Sequence, residues 1–156
     1  MAVRVQTADF DTGREIAVLT SGNTNIGAIV TFTGTVRGET KDGALSSLTL
    51  EHYPGMTETE LERIEAEARA RWPLDASLII HRFGELAPGD NIVLVVTASA
   101  HRKAAFEAAE FLMDYLKTGA PFWKKEASRK ADGSGGSGSW VDARHSDDSA
   151  LERWKR

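Results

Sequence analysis

The stretch LIIHRFGELAPGDNIVLVVTA, residues 78–98, decides the fold. It contains two apolar runs, residues 78–83 and 92–98, which have the length of buried strands and are separated by the turn signal Pro88-Gly89-Asp90. A connection this short joins strands in antiparallel fashion, because parallel pairing needs a crossover of a dozen or more residues. The stretch therefore predicts an antiparallel strand pair.

A helix follows this strand pair directly. Ser99 is predicted as its N-cap, Lys117 lies in its last turn, and Gly119 and Pro121 end it. Four of its apolar residues have the spacing of a core-facing stripe: Phe106, Ala109, Met113 and Leu116.

Two helices are predicted earlier in the chain from their capping signals. Thr57 and Glu60 form a capping box ahead of a helix that cannot continue past Pro73. Thr12 and Glu15 form a second capping box ahead of a short helix. Both helices lie between predicted strands.

The remaining strands alternate apolar and polar residues or are rich in aromatic residues. They are predicted at residues 3–6, 26–36, 48–51, 122–126 and 140–143. Strands and helices alternate irregularly with short strand-to-strand links, which predicts an α+β fold, a mostly antiparallel sheet with packed helices. The length fits a single domain over residues 1–156, with a flexible Gly/Ser-rich loop at residues 128–139.

The glycine run of this loop is a misleading motif. Residues 133–138 read GSGGSG and formally match the dinucleotide fingerprint G-x-G-x-x-G. That fingerprint binds a pyrophosphate only between a strand that leads in and a helix that leads out, whereas here a strand is predicted to follow. A nucleotide-binding domain is therefore a weak alternative.

Composition excludes several classes of protein. The net charge of −4 disfavours nucleic acid and anionic membranes as partners, and no apolar run is long enough to span a bilayer. The absence of cysteine excludes disulfides, thiolate metal sites and a persulfide on this chain, so any sulfur must come from another molecule. We expect a cytoplasmic protein without a metal or other cofactor.

Basic residues stand where predicted strands and helices end. The beginning of the helix after residue 99 is a favourable place for an anion, because its backbone N–H groups and dipole point there. The candidate anion-binding residues are Arg37, His101, Arg102, Lys117, Lys124 and Arg144.

Each of these residues also has an ordinary structural interpretation. Lys117 complements the helix dipole, and Lys124 beside Lys125 can protect an edge strand. Phe32 and Met113 are typical core residues. The residues alone predict a phosphate-binding α+β domain and indicate no more specific function.

Several strings in fixed order carry a family resemblance. The strings are VTFTGTVR (30–37), LEHYPGM (50–56), IHRFGEL (80–86), SAHR (99–102), MDYLK (113–117), APFWKKE (120–126) and WVDAR (140–144). Together, from about residue 27 to residue 126 with an extension at 140–144, they resemble the large subunit of molybdopterin synthase.

The resemblance implies a sulfurtransferase of molybdenum cofactor biosynthesis. Its sulfur would come from the C-terminal Gly-Gly thiocarboxylate of a small ubiquitin-like subunit and would go to cyclic pyranopterin monophosphate, forming the dithiolene of molybdopterin. It further implies a homodimer with one small subunit at each far end, a heterotetramer, and a site residue Arg144 that reaches into the neighbouring subunit.

The resemblance also assigns roles to individual residues. Lys117 and Lys124 are expected to be catalytic. The substrate pocket is expected to be lined by Phe32, Arg37, His101, Arg102, Met113 and Arg144. The alternative is a non-catalytic module that binds a ubiquitin-like tail or a phosphorylated metabolite in the same basic pocket.

Overall fold

The computed structural model describes residues 2–40, 43–129, 139–141 and 145–155. Its helices are α1 (Thr12–Thr20), α2 (Met56–Arg71), α3 (Arg102–Thr118) and α4 (His145–Glu152). Its strands are β1 (Ala2–Gln6), β2 (Ala28–Thr35), β3 (Glu39–Thr40), β4 (Gly43–His52), β5 (Ala76–Arg82), β6 (Gly84–Leu86), β7 (Asn91–Ser99), β8 (Phe122–Arg129) and β9 (Ser139–Val141).

The first sheet has the strand order β1-β5-β7-β2. The predicted antiparallel pair at residues 78–98 is confirmed as β5 and β7, with Leu78 opposite Val96 and Ile80 opposite Leu94. β2 continues the sheet antiparallel to β7, while β1 pairs with β5 in parallel. The predicted α+β class with mostly antiparallel pairing is thereby confirmed.

The second sheet has the order β3-β4-β8-β9, and β6 also pairs with β4. All of these pairs are antiparallel. β8 is longer than predicted and runs through Arg129, so the predicted loop at 128–139 begins inside a strand. The rest of that loop, residues 130–138, lies outside the described residues.

The alternation of β5 and β7 divides the core between two faces of the first sheet. On one face, α2 and α3 cover the sheet and bury Leu61, Ile64, Ile79, Val95, Phe111 and Leu112. On the other face, α1 helps to cover Phe10, Leu78, Ile80, Leu94 and Val96. A third cluster lies under the second sheet and contains Val36, Leu45, Leu48, Leu50 and Leu86.

The beginning of α2 differs from the prediction. Its N-cap is Gly55, whose N–H donates to the Glu58 carboxylate at 2.7 Å. Thr57 is already the second residue of the helix, and its hydroxyl accepts from the Tyr53 N–H at 3.1 Å while donating to the Tyr53 carbonyl at 2.8 Å. The predicted capping box of Thr57 and Glu60 is therefore wrong, and glycine suits the N-cap because the φ there is 84°.

The other two predicted caps are also displaced. α1 is capped by Asp11, whose side chain accepts a hydrogen bond from the Arg14 N–H at 3.0 Å, and Thr12 is already helical. α3 is capped by His101 rather than Ser99. Ser99 instead ends β7 and donates its hydroxyl to a backbone carbonyl at 2.7 Å.

One residue of the predicted core stripe of α3 is misplaced. Ala109 and Leu116 are buried and Met113 is half-buried, but Phe106 is 61% exposed. The buried face of α3 is centred on Ala105, Ala108 and Leu112. Phe106 follows Ala105 directly, and because successive residues of a helix point about 100° apart, its side chain turns away from the core.

Candidate functional site

The end of α3 and the start of β8 each carry a lysine. Lys117 lies in the last turn of α3 and is exposed, and Lys124 lies in β8 and is half-buried. The helix ends as predicted, because Gly119 is its C-cap and donates its N–H to the Tyr115 carbonyl at 2.7 Å. Only a short turn then separates the two lysine-bearing elements.

A buried histidine lies beside both lysines. The ring of His81 stacks on Phe122 with a centroid distance of 3.7 Å and an interplanar angle of 17°. Burial lowers the pKa of the His81 imidazole to about 4, and the positive charges of Lys124 and Lys117 lower that pKa further. Both lysines therefore act electrostatically on His81, and Lys117, Lys124 and His81 are here called the lysine cluster.

The hydrogen bond of His81 defines its tautomer. Nδ1 lies 2.8 Å from the Arg82 carbonyl oxygen, which can only accept a hydrogen bond. Nδ1 therefore carries the hydrogen and Nε2 carries a lone pair. A neutral His81 adds no third positive charge to the lysine cluster at neutral pH.

A second histidine completes the aromatic wall of the cluster. The His52 ring lies 4.5 Å from Phe83 and 6.1 Å from Phe122, measured between centroids. Its Nδ1 is 3.1 Å from the Thr57 hydroxyl. Sequence reasoning did not select His52 or His81. The signal for His81 was present, because it is a titratable residue in a strand whose preceding residues are all apolar or small.

Arg37 and Met113 lie at the same end of the molecule as the lysines. The Thr97 hydroxyl in β7 donates to the Ala105 carbonyl in α3 at 2.7 Å, so α3 folds back along β7. The last turn of α3 therefore lies near the beginning of β7. Arg37 lies there too, because the preceding Val36 N–H donates to the Asp90 carbonyl just before β7 at 2.9 Å, and its side chain is exposed.

His101 and Arg102 lie at the opposite end of α3. With Lys103, Ala100, Gly27 and Ala28 they surround an open depression of about 500 Å³. The first N–H groups of a helix of 17 residues point into this region, so it suits an anion such as phosphate.

A single chain does not unite all of the predicted site residues. At a rise of about 1.5 Å per residue, α3 separates Arg102 from Lys117 by about 22 Å. Phe32 lies between the two groups, opposite Val95 in the middle of β2, and is 40% exposed. Arg144 lies outside the described residues.

Within residues 2–40, 43–129, 139–141 and 145–155, no group of three or more histidine, aspartate or glutamate side chains is arranged to hold a metal ion. No helix in this part of the chain has the length and apolarity to cross a membrane.

Comparison with known proteins places the chain among named relatives. It is 60% identical over 153 residues to the molybdopterin synthase catalytic subunit of Mesorhizobium japonicum, covering 98% of this chain and 92% of that protein. It is 57% identical to the protein of the same name from Rhizobium meliloti, covering 100% and 97%. The solved structure of the molybdopterin biosynthesis MoaE protein from Burkholderia ambifaria is similar, with a TM-score of 0.81, 51% identity and coverage of 100% and 99%.

The match to a protein family agrees with these relatives. Residues 5–119, most of the chain, match the model of the MoaE protein family. The resemblance to the molybdopterin synthase large subunit that the sequence strings indicated is confirmed. The chain belongs to the MoaE protein family.

Proposed function

We propose that this chain is the catalytic subunit of a molybdopterin synthase. It transfers sulfur from the C-terminal thiocarboxylate of a small ubiquitin-like subunit to cyclic pyranopterin monophosphate, forming the dithiolene of molybdopterin. The observation that carries the proposal is the lysine cluster, in which the charges of Lys117 and Lys124 both act on the buried His81, which stacks on Phe122. A cytoplasmic location is part of the proposal.

The residue types of the cluster suit this chemistry. The thiocarboxylate and the phosphorylated pterin are both anions, and both must approach one another in a single site. Lys117 and Lys124 can hold the thiocarboxylate, stabilise negative charge that develops during acyl transfer, and donate or accept a proton. Arg37 at the same end offers a planar pair of donors to phosphate oxygens.

In a dimer, His101 and Arg102 of one copy join the lysine cluster of the other copy. β2 is the last strand of its sheet, and within the described residues no strand pairs with its outer edge. If two copies pair these edges antiparallel about a twofold axis, the Ala28 end of one strand lies beside the Thr35 end of the other. His101 and Arg102 of one copy then lie beside Arg37 and the lysine cluster of the second copy.

This arrangement makes the homodimer a requirement for a complete site. Ile29 and Phe32 on β2 are 44% and 40% exposed and point to opposite faces of the strand, so each face leaves one apolar side chain for a second copy to cover. With one small subunit per copy, the assembly is a heterotetramer. Arg144 is proposed to enter the same shared site.

Turnover by lysine variants tests the proposed function. The protein is incubated with the thiocarboxylated small subunit and the cyclic pyranopterin, and the dithiolene product is measured. Lys117→Ala should reduce turnover at least about 100-fold, because a positioned acid or base contributes about 10²–10⁴ to a rate. Its melting temperature should hardly change, because the Lys117 side chain is exposed.

Lys125→Ala is the matched control for Lys124→Ala. Both lysines belong to β8, but successive side chains point to opposite faces of a strand. The Lys125 variant should retain most of its turnover, and the Lys124 variant should lose it. Normal turnover of Lys117→Ala would show that Lys117 only complements the helix dipole. A wild-type protein that binds both reactants without forming product would support the non-catalytic binding module.

A further inference from the structure

Two residues that follow α4 contact one carboxylate of α3. The Arg153 guanidinium donates to Oδ2 of Asp114 through Nη2 at 2.7 Å and through Nε at 3.2 Å. The indole N–H of Trp154 donates to the same oxygen. Arg153 also forms an ion pair with Glu110, one turn earlier in α3, at 2.7 Å. Arg153 and Trp154 are called the Arg153 clamp below.

Packing holds the Arg153 clamp in place. The Trp154 ring lies edge-on against Trp72 and Phe111, with a centroid distance of 5.6 Å to each. The Trp154 carbonyl accepts a hydrogen bond from Arg71 at 2.9 Å. The Asp114 side chain that the clamp contacts is only 15% exposed. An ion pair with several hydrogen bonds to a mostly buried carboxylate has a better defined geometry than a pair of two exposed side chains.

Asp114 is also a helical neighbour of Lys117. The two residues are three positions apart in α3, and at this spacing the side chains of a helix lie next to each other and opposite charges pair. Glu110 is seven positions before Lys117, which is two helical turns away. Among the residues that the structure describes, Asp114 pairs with Arg153, and Lys117 forms no ion pair.

A permanent carboxylate partner would impair a lysine that serves anionic reactants. Such a partner competes with the reactant for the ammonium group, and it stabilises the charged form of the lysine against loss of a proton. Asp114 is placed to be this partner of Lys117, but the Arg153 clamp compensates its charge. The clamp therefore affects Lys117 through Asp114, without a contact of its own to Lys117.

From this geometry we propose that Arg153 is a positioning residue for the proposed sulfur transfer, because it pairs with Asp114 and thereby leaves Lys117 available to the reactants. The inference rests on the proposed function and adds a residue that lies outside the lysine cluster. Trp154 supports Arg153 by fixing the same carboxylate oxygen.

The turnover of an Arg153 variant tests the first part of this inference. The dithiolene product is measured at saturating concentrations of the thiocarboxylated small subunit and the cyclic pyranopterin, which gives kcat. In Arg153→Ala, Asp114 loses its partner and pairs with Lys117 instead. The kcat should fall about threefold to fivefold, because a fivefold change corresponds to about 1 kcal/mol, the upper end for an ion pair of this kind.

A double variant separates this role from a merely structural one. Arg153→Ala combined with Asp114→Asn removes the carboxylate that would otherwise pair with Lys117, so kcat should return to within about 1.5-fold of wild type. If the clamp only held α4 against α3, the second substitution would weaken that contact further. The double variant would then be as slow as Arg153→Ala or slower, and the coupling between the two sites would have the opposite sign.

Lys155→Ala is the matched control. It removes a positive charge two positions further along the chain, where Lys155 pairs with Glu152 at 2.6 Å. Its kcat should equal that of the wild type. If Arg153→Ala proves unstable by its melting temperature, Arg153→Gln replaces it, because glutamine retains hydrogen-bond donors but carries no charge. The same fall in kcat and the same recovery with Asp114→Asn are expected.

Two results would overturn the role of Arg153 while the wild type forms dithiolene. One is an unchanged kcat in the folded Arg153 variant. The other is a double variant that does not recover. A wild-type protein that forms no dithiolene from the two reactants would instead overturn the proposed function, and the role of Arg153 with it.

Discussion

At the scale of single residues, His81 couples the electrostatics of the site to the stability of the fold. Its folded-state pKa of about 4 is below the usual value of 6.5, so the unfolded chain binds more protons between these pH values. Stability should therefore be complete above pH 6.5 and fall as the pH decreases toward 4. The His81 contribution to this loss is about 2 to 3 kcal/mol at pH 4.5.

The His81→Phe variant isolates this contribution. Phenylalanine keeps an aromatic ring against Phe122 but cannot take up a proton. Urea unfolding of both proteins at pH 7.0 and pH 4.5 gives the free energy of unfolding at each pH. The wild type should lose more of it than the variant, so the two proteins should become closer in stability at pH 4.5. An equal loss in both would show that His81 is protonated as easily when folded as when unfolded.

At the scale of secondary structure elements, a close backbone contact joins the start of β2 to the turn before α3. A Cβ added at Gly27 would lie 2.4 Å from the Ala100 carbonyl oxygen, and the Gly27 N–H donates to Ser99 at 3.0 Å. Gly27→Ala should therefore force the two elements apart and lower the free energy of unfolding by about 1 to 3 kcal/mol.

Gly38→Ala is the control for this substitution. No atom would lie within 4 Å of a Cβ added at Gly38, so this change should be nearly neutral. Urea unfolding of the two variants and the wild type measures the difference. Equal stability of the Gly27 and Gly38 variants would mean that the turn carrying His101 and Arg102 is free to move away from β2.

At the scale of the whole molecule, the separation of about 22 Å between Arg102 and Lys117 along α3 makes the shared site testable by subunit mixing. Lys117→Ala and Arg102→Ala should each be nearly inactive alone. In a mixed dimer, the Arg102→Ala chain keeps its Lys117 and receives an intact Arg102 from the second copy. Random reassociation of equal amounts should restore about a quarter of all sites.

The opposite arrangement gives a different result. If Arg102 served the site of its own chain, every site in a mixed dimer would lack one of the two residues. No activity would then return, even when mass spectrometry shows that the subunits have exchanged. Such a result would contradict the proposal that twofold pairing of the β2 edges completes the site.

The sequence by itself determined the parts of this protein that depend on local signals. The turn at residues 88–90 between two apolar runs predicted the β5 and β7 pair, and Gly119 with Pro121 predicted the end of α3 beside Lys117. Family membership also followed from strings of neighbouring residues. The helix beginnings were less accurate, because several polar residues near each end compete for the same few backbone groups.

Only the tertiary structure decided which of the candidate residues meet. His81 and Phe122 are 41 positions apart, and their stacking depends on how the two sheets and α3 fit together. The same packing sends Arg102 away from Lys117, since α3 is straight and its two ends cannot approach each other within one chain. Composition and spacing describe single segments, whereas contacts between distant segments arise from strand register and from the burial of apolar faces.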